Sequence, residues 1–462
     1  MKRLVLVALV AGCTTVGPDY ERPHVPLPGK YLQEGSAASA VSPEWWSLYN
    51  DATLNQLVAA TRKNNVDLRL AAARVREAEA VLREAGAAYY PDVIGGYSAT
   101  RNRVSSEALP PPPATAPLTR SNHSLTASTG FELDFWGRFA RANEAARAAL
   151  LGSKFSYGVV ELTLSGAIAQ AYFALRSLDA QLAVLDITIR VRQDSLGIAK
   201  TRADAGLASE LDVHQAQGAL SDALVQRREA ERQRALVERQ IGTFTGQLEL
   251  DLPREKLDKD LFALPVPPAP PPGLPSALLD RRPDIRSAEE ALVAANAQIG
   301  IARAALFPTV SLTGALGQQS AELSDLLSSG ARIWSLGFGL ALPIFDAGRR
   351  EARVEQAAAR REQALASYQR SIETAFREVS DALVNIEQTA GSEAQLEARL
   401  RAARNALELS TLRYESGYSP YLEVLDAQRT ANEAELAFVR NRQARLAFSV
   451  DLMKALGGGW QK

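Results

Sequence analysis

The chain contains few of the residues from which metal and redox sites are built. Its 462 residues include one cysteine, two methionines and three histidines. One cysteine excludes an internal disulfide, and His24, His123 and His214 lie too far apart for a metal-ligand spacing. The sequence also has no glycine-rich phosphate loop and no nucleophile elbow. We therefore expect neither an enzyme nor a cofactor-dependent protein, and the net charge of −1 gives no sign of a nucleic-acid partner.

Long apolar runs are also missing: no run of eighteen or more apolar residues follows the N-terminal region, so an ordinary transmembrane helix is not expected. The first residues resemble a signal peptide, because Lys2 and Arg3 precede a short apolar run. That run ends in Val-Ala-Gly-Cys, which resembles a lipobox, so we expect cleavage after residue 12 and a lipid on Cys13. Thr14 then favours the outer membrane as the destination. An ordinary buried cysteine is the alternative.

Four segments have the alternating pattern of membrane β-strands, about 92–105, 123–135, 309–322 and 332–345. In the last of these, Trp334 and Phe338 share one face, while Ser335 and Gly337 lie on the other. A chain that crosses lipid in strands must form a closed barrel, and four strands are too few to close one. We therefore expect a barrel assembled from several chains; a soluble sandwich is the alternative. The proline-rich run 109–117 is expected to be a loop outside the cell.

The second half of the chain repeats the first. The segment from Gly206 to Gln217 matches the segment from Gly417 to Gln428, an offset of 417 − 206 = 211 positions. Each repeat is expected to run helix, strand hairpin, long helix, glycine turn and helix. The predicted divisions are a signal peptide at 1–12, an N-terminal repeat at 13–245 with its hairpin at about 92–135, a connector at 246–284, a C-terminal repeat at 285–456 with its hairpin at about 309–345, and a tail at 457–462.

The remaining chain has the pattern of long helices. Leu178, Leu182, Leu185 and Ile189 recur at spacings of three and four, which is typical of a heptad seam. A helix of about 65 residues would extend roughly 100 Å. Gly206 and Gly417 each follow such a helix and precede another one. We expect both glycines to form left-handed C-caps in tight helical turns.

Several motifs together resemble the TolC-type outer-membrane factors, and Cys13 resembles the lipidated cysteine of their NodT-like branch in RND-type tripartite efflux systems. The motifs are Asn65–Leu68, Tyr90–Pro91, Arg281–Ile285, Phe307–Pro308, Leu342–Gly348 and Leu425–Arg429. The resemblance implies a mainly α chain with four β-strands. Three chains would form a 12-stranded outer-membrane β-barrel continuous with a long periplasmic α-helical barrel, with an equatorial belt from the termini and the connector.

The resemblance also implies a function and partners. It implies a passive exit channel for small molecules such as drugs, toxic compounds or metal ions, working as a homotrimer in the outer-membrane lipid. A periplasmic adaptor and an inner-membrane RND-type pump would deliver the substrate. Two alternatives stay open: a type I secretion duct for proteins or peptides, and a lipid-anchored periplasmic coiled-coil adaptor. The sequence does not identify the exported compounds.

By resemblance, the periplasmic end of such a channel closes next to Gly417. Leu422 and Asp426 match the constriction, and their spacing of four places them on one helix face. In a trimer, Asp426 would form a ring of three carboxylates, which favours cations. A solvated or ion-paired helix residue is the alternative for Asp426.

Other residues match positions that hold this gate shut. Tyr414 and Arg429 are expected to bind the first-half turn, and Asp204, Glu210 and Asp212 are the expected acceptors. Glu415 departs from the family pattern, in which a basic residue is frequent. Opening would then be an iris-like untwisting of the second-half hairpins, driven by adaptor binding.

Overall fold

The computed structural model describes residues 15–26, 44–107, 113, 117–254 and 278–458. Cys13 and its predicted lipid, the signal peptide and most of the proline-rich loop lie outside the described residues. So do most of the connector and the last four residues of the chain.

The two halves of the chain contain similar elements in the same order. The first half has a 3-10 turn at Trp45–Tyr49, then α1 (Ala52–Asn64), α2 (Val66–Ala87), β1 (Asp92–Arg103), β2 (Thr119–Leu133), α3 (Arg138–Asp204) and α4 (Glu210–Thr245). The second half has α5 (Leu278–Arg281), α6 (Pro283–Ala304), β3 (Thr309–Ser320), 3-10 turns at Leu323–Asp325 and Ser329–Ala331, β4 (Arg332–Ala341), α7 (Arg349–Glu415) and α8 (Tyr421–Ala455).

The long helices match the length expected from the sequence. Helices α3 and α7 each have 67 residues, which corresponds to about 100 Å of helix. Their partners α4 and α8 have 36 and 35 residues. The heptad seam of α3 is buried, with Leu182 and Leu185 at most 3% exposed. Because α8 also buries Val439 and Leu446, both hairpins pack through apolar seams.

The chain forms two compact units, and each combines segments from both halves. One contains the described residues of 1–24, 75–152 and 288–368; the other contains those of 25–74, 153–287 and 369–462. Sequence repeats and spatial units therefore divide this chain differently.

The first unit contains one antiparallel sheet with the strand order β1-β2-β3-β4. Asp92 pairs with Gly130 in the first hairpin, and Leu133 pairs with Val310 where the two hairpins meet. The last strand ends earlier than expected, at Ala341 rather than 345. Pro343 explains this difference, because proline has no N–H to donate to a neighbouring strand.

One face of this sheet is apolar and exposed. Trp334 and Leu336 are 79% and 81% exposed, and Phe338 and Leu340 share their face. The opposite face of β4 carries Ser335 and two glycines, as the alternation of side chains along a strand requires. Such a large exposed apolar face needs a cover, and the described residues do not supply one.

The second unit has its core where the first 3-10 turn meets the long helices. Trp45, Ile168, Phe173, Ile241 and Val450 are fully or almost fully buried in one cluster. Asp51 begins α1 by accepting a hydrogen bond from the Leu54 N–H at 3.0 Å, and its other oxygen accepts one from the Tyr172 hydroxyl at 2.6 Å. The cap and the core are therefore formed together.

One described helix, α3, contains a stretch that is long and apolar enough to cross a membrane by length and composition. Of that stretch, 56% is buried inside the protein, as in a core helix. The sequence analysis predicted no such helix, and by length and composition α3 is an exception to that prediction. The burial favours packing against protein for this stretch.

Candidate gate at the helical turns

The two glycine turns have the same backbone geometry. Gly206 has a φ of 70°, and Gly417 has a φ of 80°. After α3, the Leu207 N–H donates to the Arg202 carbonyl at 2.8 Å; after α7, the Tyr418 N–H donates to the Arg413 carbonyl at 2.8 Å. This six-to-one hydrogen bond is that of a Schellman motif, which ends a helix at a left-handed residue. Both turns thus have the geometry expected from their glycines.

Arg202, in the last turn of α3, binds the backbone of the second-half turn. Its Nη1 donates to the Tyr414 carbonyl at 3.2 Å and to the Glu415 carbonyl at 3.3 Å. Its guanidinium also lies 4.9 Å from the centre of the Tyr414 ring, in a cation–π contact. Both carbonyls belong to the last turn of α7, where the Tyr414 carbonyl also accepts a hydrogen bond from the Gly417 N–H at 3.0 Å. Carbonyls in a last turn lack the usual partner four residues on, so Arg202 adds a side-chain donor at this helix end. A first-half side chain therefore caps the second-half helix.

The Tyr414 side chain lies inside the apolar cluster between the turns. It is 4% exposed and meets Tyr421 edge-on, with ring centres 5.4 Å apart. Burial, with the nearby Asp212 carboxylate, raises the pKa of Tyr414. Burial likewise raises the pKa of Tyr421 to about 12. Neither hydroxyl has a hydrogen-bond partner within the part of the chain that is described. Within the chain, Tyr414 therefore contributes its ring and its carbonyl, and not its hydroxyl.

Leu422 and Asp426 lie on one exposed face of α8, as their spacing predicts. Leu422 is 59% exposed, and the Asp426 carboxylate is similarly open to solvent. Asp426 accepts a hydrogen bond from Arg429 at 2.7 Å, and Arg429 also donates to Glu433 at 2.9 Å. The described chain thus holds Asp426 in an ion-paired row along its own helix.

This row differs from the partners expected for Arg429. Asp204, Glu210 and Asp212 lie at the first-half turn, but the ion pairs described for Arg429 are both within α8. The sequence-based acceptors are therefore not the partners of Arg429 in the single chain. Its role in holding the gate shut, like the constriction by Leu422 and Asp426, stays a prediction.

Buried polar pairs connect α8 to α3 at positions that follow Leu422 and Asp426 along α8. Gln428 donates to the Ser195 hydroxyl at 2.7 Å, and Asn432 accepts from the Thr188 hydroxyl at 3.2 Å. Asn432 is 7% exposed and Gln428 3%. An open groove of about 890 Å³ runs beside these pairs, between residues of α3, α4, α7 and α8. The charged side chains that line it include Arg192, Asp222, Asp426 and Arg429. Polar pairs in a seam fix its register, at a cost in stability.

Sequence reasoning missed Arg202. A signal for it was present, because Arg202 and Arg413 occupy the same position of the two repeats, four residues before the glycine. The choice of partner was not readable, since Arg413 pairs with Glu423 in its own half at 3.0 Å. Among the residues that the structure describes, no group of three His, Cys, Asp or Glu could hold a metal ion.

Comparison with known proteins identifies relatives along almost the whole chain. A family model described as outer membrane efflux protein matches residues 57–247 and 274–458. The chain is 35% identical over 481 residues to outer membrane protein OprJ of Pseudomonas aeruginosa, covering 99% of this chain and 95% of that protein. It is 35% identical over 472 residues to the toluene efflux pump outer membrane protein TtgF of Pseudomonas putida, covering 99% and 96%.

A solved structure shares the fold. The CmeC outer membrane channel of Campylobacter jejuni matches with a TM-score of 0.89 at 25% identity, and the match covers 97% of this chain and 96% of that one. The similarity therefore includes the sheet, the long helices and both turns. It favours the channel interpretation over the alternative of a coiled-coil adaptor.

Proposed function

Because the chain belongs to the outer membrane efflux protein family and is the outer-membrane channel of an efflux pump, we propose that three copies form the channel and that the turns of α7 and α8 close it. The observation that supports this gate is that Arg202 donates hydrogen bonds to the Tyr414 and Glu415 carbonyls. These hydrogen bonds join the first-half hairpin to the second-half hairpin at the point where the constriction is expected.

The sheet supports assembly into a trimer. Among the described residues, its outer strands β1 and β4 each have one edge without a partner strand. Lipid cannot hydrogen-bond to an open strand edge, so the sheet must close with other copies. Four strands from each of three copies make twelve, which is an ordinary size for an outer-membrane barrel. The exposed face with Trp334, Leu336 and Phe338 then contacts lipid.

The gate consists of exposed side chains near the axis. Leu422 and Asp426 share an exposed face, so a trimer repeats them three times around one pore. Because each Asp426 carboxylate is paired with Arg429, the ring carries less net negative charge than three unpaired carboxylates would. Opening moves the second-half hairpin away from the first-half hairpin and breaks the contacts of Arg202. The motion is iris-like, since each copy contributes one mobile hairpin.

We propose the partners from the family, and the anchor from the lipobox-like sequence that ends at Cys13. A periplasmic adaptor and an inner-membrane RND-type pump deliver the substrate, and the channel conducts it passively without catalysis. A lipid on Cys13 anchors the N-terminus in the membrane. Small molecules are the substrate class that we propose, because the relative TtgF is named as a toluene efflux protein. A type I secretion role finds no separate support in the described residues.

Planar-bilayer recordings of the purified trimer test the gate. We expect low, cation-selective conductance for the wild type. Asp426→Ala should raise conductance and lower cation selectivity, because it removes a carboxylate and leaves Arg429 paired with Glu433 alone. Combining Tyr414→Phe with Arg429→Ala should also raise conductance if these side chains bind a neighbouring copy, since within one chain the Tyr414 hydroxyl has no described partner and Arg429 pairs inside α8.

Asp381→Ala is the matched control, because Asp381 is 60% exposed and pairs with Arg377 along one helix, as Asp426 does with Arg429. It should leave conductance and selectivity unchanged. Equal effects of Asp381→Ala and Asp426→Ala would contradict the gate. A wild type that stays monomeric and forms no pores would overturn the channel assembly itself.

A further inference from the structure

Three arginines lie at one end of the apolar face of the sheet. Paired residues lie on the same face, and Trp334 pairs with Leu316, Leu316 with Ala127, and Ala127 with Gly95. Alternation from Gly95 along β1 therefore places Arg101 and Arg103 on the same face as Trp334. Arg332, two residues before Trp334 on β4, also lies there.

All three arginines are exposed, and none forms an ion pair with another described residue. The described acids beyond this end of the strands, Glu107, Glu322 and Asp325, lie in the loops. The face is thus apolar along most of its length and basic at one end.

The basic end is the end far from the helices. Strands β1 and β3 begin where helices end, whereas Arg103 and Arg332 lie next to the hairpin loops. In the proposed channel the helices are periplasmic, so the arginines lie at the outer leaflet. An arginine on the lipid face is costly at the middle of the membrane and is tolerated near its interface. Trp334 beside them is typical of that interface.

The repeat predicts which strands meet between copies. Tyr90-Pro91 before β1 aligns with Phe307-Pro308 before β3 at an offset of 307 − 90 = 217, so Thr309 is the counterpart of Asp92, whereas the offset of 211 makes Ala341 the counterpart of Gly130. Asp92 pairs with Gly130 in the first hairpin, and Thr309 pairs with Ala341 in the second. The two hairpins therefore have one register, and the repeat can be applied residue by residue. A trimer of duplicated chains is expected to use one type of contact between all neighbouring hairpins.

Within the chain, that contact is the pairing of β2 with β3, where His123 lies opposite Ser320 and Leu125 opposite Gln318. The counterpart of His123 is Trp334, and the counterpart of Ser320 is Arg103. The same register between copies thus places Trp334 opposite Arg103 of the neighbouring copy, and Leu336 opposite its Arg101. Arg332 then lies diagonally next to that Arg103, at roughly 7–8 Å between Cα atoms.

We propose that Arg101 and Arg103 of one copy and Arg332 of the next bind the phosphate groups of lipid headgroups in the outer leaflet. The proposal rests on the proposed trimer. Three cations so close together repel one another unless an anion lies between them, and the guanidinium group binds phosphate through two hydrogen bonds. The apolar face below the arginines would contact the acyl chains of the same lipid. The site recurs three times around the barrel.

Binding of lipid A to the purified trimer by native mass spectrometry tests this site. We expect each Arg→Gln change to weaken binding about fivefold, and the combination of Arg101→Gln, Arg103→Gln and Arg332→Gln to weaken it roughly a hundredfold. Lipid A without its phosphates should bind the wild type as weakly as the intact lipid binds the triple variant. Arg→Lys at all three positions should bind with intermediate strength, since it keeps the charge.

Arg120→Gln is the matched control. Arg120 pairs with Asn102, so it lies at the same end of the sheet on the opposite face. It should bind lipid A as the wild type does. Equal binding of intact and dephosphorylated lipid A, or an unchanged triple variant, would overturn the proposal. Complete competition by millimolar inorganic phosphate would also overturn it, by indicating a free-phosphate site.

Trimer formation is checked separately for each variant by gel electrophoresis of unheated samples in SDS. A wild type without trimers contradicts the proposed function. Trimers that conduct but bind lipid A independently of the arginines contradict the lipid site alone. If the triple variant does not assemble, the single variants and the lysine variant decide the result.

Discussion

The turns of the two repeats have the same backbone and different side-chain partners. Both end a 67-residue helix in a Schellman motif at a glycine. Arg413 pairs with Glu423 inside its own hairpin, whereas Arg202 at the same repeat position binds the carbonyls of Tyr414 and Glu415 in the other half. Duplication thus preserved the turn, and the halves then diverged in what the arginine binds. Such divergence fits the proposed gate, in which the second-half hairpin moves away from the first-half hairpin.

The largest expected effect comes from breaking the contact across the halves. Arg202→Ala removes two hydrogen bonds from a cation to backbone carbonyls and one cation–π contact. We expect about 3 kcal/mol less stabilisation of the closed turn, and a conductance that rises accordingly. Arg413→Ala is the control at the matching position of the other repeat. Similar conductance of the two variants in planar bilayers would contradict the difference between the turns.

A smaller effect is expected from high pH. Burial raises the pKa of Tyr421 to about 12, so the folded cluster favours the neutral phenol. Its contribution is complete below the ordinary pKa of about 10 and is lost as the pH rises through about 12, up to roughly 2 kcal/mol. We expect conductance to rise between pH 10 and 12. Tyr421→Phe should remove part of this rise, because phenylalanine cannot ionise. The change breaks no described hydrogen bond of the hydroxyl.

Tyr418→Phe is the control for the alkaline experiment. Tyr418 lies in the same turn but is 80% exposed, outside the apolar cluster that buries Tyr421. It should leave the pH dependence unchanged. If Tyr418→Phe and Tyr421→Phe alter the profile equally, ionisation inside the apolar cluster is not the cause.

The glycines should show what the two turns share. Gly206→Ala and Gly417→Ala each place a side chain at a positive φ, and we expect each to cost about 1 kcal/mol. Space does not add to this cost, because a Cβ at Gly206 would meet nothing within 4 Å, and one at Gly417 would meet Arg202 at 3.9 Å. Thermal unfolding followed by circular dichroism measures both. Gly197→Ala, in the interior of α3, should instead stabilise the helix.

The smallest effect is expected for the ion pair inside the second hairpin. Arg413 and Glu423 are 55% and 42% exposed, so Glu423→Gln should cost less than about 1 kcal/mol. Thermal unfolding at low and high salt provides the measurement, and the difference from wild type should shrink as salt rises. A cost above that of Gly417→Ala would mean that the pair is more important than its exposure indicates.

Much of the fold was readable from the sequence because it depends on local rules. Alternation along the strands and the heptads of α3 identify elements without knowledge of their neighbours. The glycine at the end of each long helix fixes the turn for the same reason. The end of β4 was placed four residues too late, because the alternation continues through Leu342 and Ile344 although Pro343 stops the hydrogen bonding.

The candidate gate was readable only in part. The shared exposed face of Leu422 and Asp426 follows from a spacing of four residues, which any helix converts into proximity. The partner of Arg429 was expected across the halves and lies in its own helix, while the residue that does reach across is Arg202. Long arginine side chains have several acceptors within reach, so spacing alone does not choose among them.

The sequence by itself determined the order of elements, the glycine turns and the apolar face of the sheet, because each depends on residues close together in the chain. It also determined the repeat, because the two matching segments can be compared directly. The tertiary structure alone decided that Arg202 binds the second-half turn and that the Tyr414 hydroxyl is buried without a described partner. Those contacts join residues more than two hundred positions apart. They depend on how two hairpins pack side by side, which no local pattern specifies.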